Sequence, residues 1–86
     1  MRHEYELTFD VEILGGINIC GTAIHDGRYI TEIELPDGSR ILGGLIGQAA
    51  SASTPHQCAL WQMITAELLR GRHYRDRMAE QRYAVA

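Results

Sequence analysis

The stretch YELTFDVEIL, starting at Tyr5, alternates apolar and polar side chains without a break. Tyr5, Leu7, Phe9, Val11 and Ile13 point one way, and Glu6, Thr8, Asp10 and Glu12 the other. A period of two with one apolar face specifies a half-buried strand of an antiparallel sheet. Any fold of this chain must therefore supply a cover for the odd-numbered face.

The next segments continue the sheet. Gly15-Gly16 permits the positive backbone angles of a tight hairpin, and INICGTAI, apolar or small on both faces, suits a central strand. Asp26-Gly27 marks a second turn. YITEIEL then places Tyr29, Thr31, Ile33 and Leu35 on one face and Ile30, Glu32 and Glu34 on the other. The PDG turn leads to a short fourth strand in SRILGG, and GQAASASTP reads as a loop.

The cover comes from STPHQCALWQMITAELLRG. Thr54 is an N-cap, Pro55 takes the first helical position, and Gln57 stands three residues after the cap, which is a capping box. At 100° per residue Leu60, Trp61, Ile64 and Leu68 form one stripe flanked by Cys58 and Leu69, and Gly71 can end the helix. The expected fold is α+β: an antiparallel meander of three to four strands, covered on one face by an amphipathic helix over 55–70. The end of the chain continues as a short C-terminal helix, with Tyr74, Met78 and Val85 on one side, or frays. The sheet spans 4–46, and 71–86 is a basic terminal segment of the same small domain.

Size and charge narrow the function. A chain of 86 residues buries only about 60–65% of its unfolded surface, so a second subunit completing the core, a homodimer, is an expectation. There is no lysine; eight arginines oppose eleven acids for a net charge of −3. A general nucleic-acid binder would be strongly basic. The start MRHEYELTFD lacks the apolar run of a signal peptide, no stretch approaches membrane-spanning length, and both cysteines fall inside regular elements. A soluble cytoplasmic protein with reduced thiols is expected.

No constellation points to catalysis. His56 and Cys58, with Cys20, His25 or His73, lack the paired spacing of zinc ligands, so no metal, cofactor or catalytic residue is assigned. Glycine-rich GGLIG at 43–47 lacks the Lys-Ser/Thr ending of a phosphate loop and reads as a strand end and loop. Residues 5–70 resemble the first half of the ribonuclease H fold, through FD on the first strand, GTAI on the second and TPHQCAL opening a helix. That resemblance implies three strands plus a helix. Nuclease activity is not implied, since Asp10 sits near the first carboxylate position but Ala59 falls where the helix glutamate would be. A meander capped by a helix is also similar to the double-stranded RNA-binding domain, whose helix opens on a lysine cluster; TPHQCALWQ has none.

The partner-binding candidates are Glu6, Asp10, Glu12, Glu32 and Glu34, outward-facing acids on strands one and three. They suggest a non-enzymatic regulatory module that binds a protein, an inhibitor of a nucleic-acid-handling machine of the kind phages use against host defence. The alternative is nucleic-acid binding through Arg70, Arg72, Arg75 and Arg77, where arginines interleave with His73 and Tyr74. A structural homodimer, joined by an edge strand or by acidic sheet and basic tail, is the third reading.

Overall fold

The alternation of the first strand is realised residue by residue. In the computed structural model, which describes residues 4–44 and 47–85, β1 (Tyr5–Ile13) buries Leu7, Phe9, Val11 and Ile13 and exposes Glu6, Thr8, Asp10 and Glu12. It pairs antiparallel with β2 (Ile17–His25), which pairs with β3 (Ile30–Glu34), and that strand with β4 (Arg40–Leu42). The order β1-β2-β3-β4 is a simple meander. Two helices, α1 (Pro55–Arg70) and α2 (Arg72–Val85), complete an α+β fold. At the first turn Gly15 and Gly16 take φ of 89° and 76°, as the hairpin requires.

One strand departs from the alternation expected of it. Tyr29 was expected to share a face with Ile33, and Ile30 to lie opposite; instead Ile30 and Ile33 are both buried and Tyr29 is 42% exposed. The cause is a register irregularity. His25 stands opposite Ile30 while Ile24 stands opposite Glu32, so Thr31 is an extra residue on β3. The bulge rotates the start of β3 by one residue and lets two isoleucines three apart reach the same core. Thr31 Oγ1 donates to the Ile24 carbonyl at 3.2 Å.

Helix α1 starts where its punctuation says. Thr54 Oγ1 accepts from the Gln57 amide at 3.1 Å, and Gln57 Oε1 accepts from the Thr54 amide at 2.9 Å. Its stripe buries Trp61, Ile64 and Leu68 against the odd-numbered face, joined there by Ala23, Ile33 and Ile41; Leu60 is half-buried and Leu69 exposed. Trp61 is 1% exposed, and its indole N–H donates to the Gly47 carbonyl at 2.8 Å. A β-carbon at Gly43 would stand 3.0 Å from that ring and 2.8 Å from the Thr31 carbonyl, so the close approach requires glycine. The glycine-rich segment 43–47 includes residues 45 and 46, which lie outside the described residues, as does the side chain expected of Val85 on the apolar side of α2.

The second helix runs along the outer edge of β1. Met78 is its buried anchor. The Tyr74 hydroxyl accepts from the Asp10 amide and donates to the Asp10 carbonyl, both at 3.2 Å. Gln81 Nε2 donates to the Glu6 carbonyl at 2.7 Å. These side chains satisfy backbone groups that an edge strand would otherwise offer to another chain. The partner of Gln81 Oε1 is Nε2 of His25 at 2.7 Å, and His25 is fully buried. The Gly27 amide donates to His25 Nδ1 at 3.0 Å, which leaves Nε2 to donate to Gln81. At the other edge, the Ala50 amide donates to the Leu42 carbonyl at 2.9 Å, covering part of the three-residue β4.

Two outcomes follow from this packing. Trp61→Ala removes the largest buried side chain and orphans the Gly47 carbonyl; urea unfolding should register a loss of about 3–5 kcal/mol. Tyr74→Phe should cost ~0.5–1.5 kcal/mol and speed hydrogen exchange at the Asp10 amide, measured by NMR, while exchange in the middle of β2 changes no more than global stability does.

Candidate acidic sheet face

With α1 on the odd-numbered face, the even-numbered face of β1 and its neighbours stays open. The register builds its surface row by row. Glu6 lies opposite Ile24, which lies opposite Glu32, which lies opposite Leu42; in the next row Thr8, Thr22, Glu34 and Arg40 follow one another. Two strand spacings separate Glu6 from Glu32, about 10 Å between their backbones. Glu4, Glu6, Glu32 and Glu34 wall a shallow hollow of about 320 Å³ whose floor includes Ile24 and Thr31.

Of the five expected partner-binding residues, the sheet brings three together. Glu6, Glu32 and Glu34 share the hollow. Asp10 and Glu12 stand farther along β1 and line a different hollow with Glu67, Arg70 and Tyr74, at the junction of β1 and the helices. Arg40 was not singled out in the sequence, yet it pairs with Glu34 at 3.1 Å. The length of the PDG hairpin was the signal for it, since it sets Glu34 opposite Arg40. Such an exposed pair contributes about 0–1 kcal/mol and exchanges readily. Among the described residues, neither Glu6 nor Glu32 has an ion pair.

Electrostatics favour a cationic visitor. Two carboxylates about 10 Å apart repel by only about 0.4 kcal/mol in water, so the fold brings them to one face at little cost. A cation seated over Ile24 would lie near both at once, and each attraction strengthens as water is displaced. Ile24 itself is half-buried and gives an apolar floor for the stem of an arginine or lysine.

The arginines are scattered. Arg70 closes α1 and pairs with Glu67 at 3.2 Å. Beyond Gly71, Arg72 and Arg75 lie on one side of α2 with Arg82, while helical spacing puts Arg77 on the far flank. His73 and Tyr74 stack edge to face with ring centroids 4.8 Å apart. The thiols and imidazoles are also apart: Cys20 is exposed on the open face, Cys58 half-buried in α1, His56 exposed in its first turn and His25 enclosed under α2. Among the described residues no three His, Cys, Asp or Glu side chains are grouped to hold a metal ion, and no helix is long and apolar enough to cross a membrane.

No protein-family model, curated protein or solved structure matches the chain.

The β3–β4 turn carries an acid with a shifted pKa. Asp37 accepts from the Ser39 hydroxyl at 2.6 Å and from the Ser39 amide at 2.9 Å, and these bonds hold its carboxyl below the ordinary value. Because the folded value is the lower one, the turn gains from ionised Asp37 above the unfolded carboxylate range. It loses that gain as pH falls through the lowered value. An NMR titration should find the Asp37 midpoint below that of a free aspartate, and Ser39→Ala, which removes the hydroxyl bond and leaves the amide bond, should raise it part of the way.

Proposed function

We propose that the protein is a small non-catalytic binding module that regulates a protein partner by taking a basic surface of that partner onto its open acidic sheet face. The supporting observation is the convergence of Glu6, Glu32 and Glu34 around Ile24, contributed by strands that are distant in sequence and adjacent only through β2. A cationic groove that normally holds nucleic acid is the kind of surface such a face suits, so an inhibitor of a nucleic-acid-handling machine is the working role. Charge density limits the imitation. Same-face carboxylates on one strand stand about 6.7 Å apart, against one charge per roughly 1.7 Å of duplex axis. The face therefore fits a few arginine or lysine side chains better than it replaces a duplex.

Rival readings gain less from the geometry. Nucleic-acid binding through Arg70, Arg72, Arg75 and Arg77 calls for a shared stripe, and Gly71 divides these residues between two helices. A homodimer joined through an edge strand would meet a β1 edge already bonded by Tyr74 and Gln81 and a β4 of three residues.

Capture of proteins from the native host, repeated with two variants, tests the proposal. The variant Glu6→Gln/Glu32→Gln/Glu34→Gln should lose affinity for the captured protein about tenfold or more, the sum of three ion pairs near 0.5 kcal/mol each. Asp10→Asn/Glu12→Gln should retain most of it. Undiminished capture by the triple variant would exclude the acidic face as the binding surface. A nucleic acid as the only retained material, shifted in a gel at low salt and lost on Arg72→Ala/Arg75→Ala/Arg77→Ala, would replace the proposal with the arginine reading.

A further inference from the structure

A single residue joins the two helices. Helix α1 ends at Arg70 and α2 begins at Arg72, with Gly71 between them in an extended conformation (φ −108°, ψ −176°). That conformation is open to any residue, and a β-carbon there would meet nothing within 4 Å. Neither backbone strain nor crowding therefore calls for glycine. What glycine does at this position is disfavour the alternative, in which the chain runs straight on as one helix.

The sequence on either side favours that alternative. Every helix start has amide groups without intrahelical partners and a partial positive charge, which acids stabilise and cations oppose. The first turn of α2 holds no acid; it holds Arg72, His73 and Arg75. Arg75 turns back to donate through Nε to the Gly71 carbonyl at 3.0 Å. In a continuous helix the same amides would bond to the carbonyls of the last turn of α1. The unfavourable charge at the start of α2 would disappear with the terminus itself.

Helix α2 packs against both α1 and β1, and its hydrogen-bonded attachments lie on the sheet. Among the described residues its side-chain hydrogen bonds beyond the hinge go to β1 and β2, from Tyr74 to Asp10 and from Gln81 to Glu6 and His25. Met78 is its buried apolar anchor, and the Arg82 stem lies against Gly27. A second copy of the chain presents the same β1 edge and can receive the same helix.

We propose that the β1 edge is an exchange site for the α2 helix of a second copy: Gly71 straightens, α1 and α2 fuse over 55–85, and two chains swap their C-terminal helices about a two-fold axis. The partner is this chain itself, and the site contacts are those of the monomer with only the hinge changed, which makes the swap a low-cost route to a dimer. The acidic face takes no part in it.

Two substitutions at the hinge pull in opposite directions. Gly71→Ala improves the interior of a fused helix by about fivefold per hinge, or about 25-fold in the dimerisation constant for the two hinges together. Gly71→Asp supplies an N-cap and a negative charge to a separate α2 and disfavours fusion. Sedimentation at millimolar chain concentration should show the dimer fraction rising in the order Gly71→Asp, wild type, Gly71→Ala. Circular dichroism confirms that each variant is folded. Spin labels at Ala59→Cys and Glu80→Cys, with Cys20→Ser and Cys58→Ser, then read the hinge in labelled chains diluted into unlabelled Gly71→Ala protein. A fused helix puts them about 32 Å apart, 21 residues at 1.5 Å each, and the bent chain holds them closer. A Gly71→Ala protein that stays monomeric overturns the proposal. So does a dimer whose labels keep the shorter distance of the monomer.

Discussion

The burial of Trp61 is the contact on which the other parts of this structure converge. Its ring closes the gap between the sheet and the chain before α1, and its N–H holds the Gly47 carbonyl. A side chain of this size removes on the order of 200 Å² from water, worth about 5 kcal/mol at the usual coefficient. A small domain is stable by only about 5–15 kcal/mol, so one residue supplies a large share. Ile64 and Leu68 extend the same contact along the helix, and Gly43 makes room for it from the sheet side. With α1 fixed there, none of the described residues roofs the even-numbered face, and its acids are left toward water.

A sheet covered on one side has two exposed liabilities, its open face and its edges, and the chain treats each differently. The face carries like charges at intervals that discourage stacking on itself. The β1 edge is covered by a polar helix whose Tyr74 and Gln81 bond to backbone groups of that strand. The β4 edge is very short and borrows a bond from Ala50. These are familiar means of keeping a sheet from pairing with its neighbours. The first of them also creates the acidic surface proposed to receive a basic partner.

How much of this was legible depends on whether the deciding interaction is local. The β1 pattern and the Thr54 capping box are local: a period of two and a four-residue motif need no knowledge of distant residues, and both elements formed where the sequence placed them. The face of β3 was not legible, because the bulge that brings Ile30 beside Ile33 is set by pairing with His25 across the sheet. The edge role of α2 was hidden for a related reason. Tyr74 and Gln81 bond to main-chain atoms, and main-chain atoms leave no trace in composition or periodicity. In the same way, five acids looked equivalent along the sequence. Only the order of strands shows that Glu6, Glu32 and Glu34 meet while Asp10 and Glu12 face another hollow.

The chain of bonds from the Gly27 amide to His25, on to Gln81 and then to the Glu6 carbonyl ties three separate elements through one enclosed ring. Each link orients the next, since the ring has only two nitrogens and the amide only one of each polar atom. A change at the loop between β2 and β3 is therefore felt at the opposite end of the relay, beneath the backbone of a glutamate in the hollow. Substitutions at His25 and at Gln81 should combine non-additively, the second costing less once the first is made. Loop, strand, helix and sheet edge are thus joined at a single enclosed imidazole.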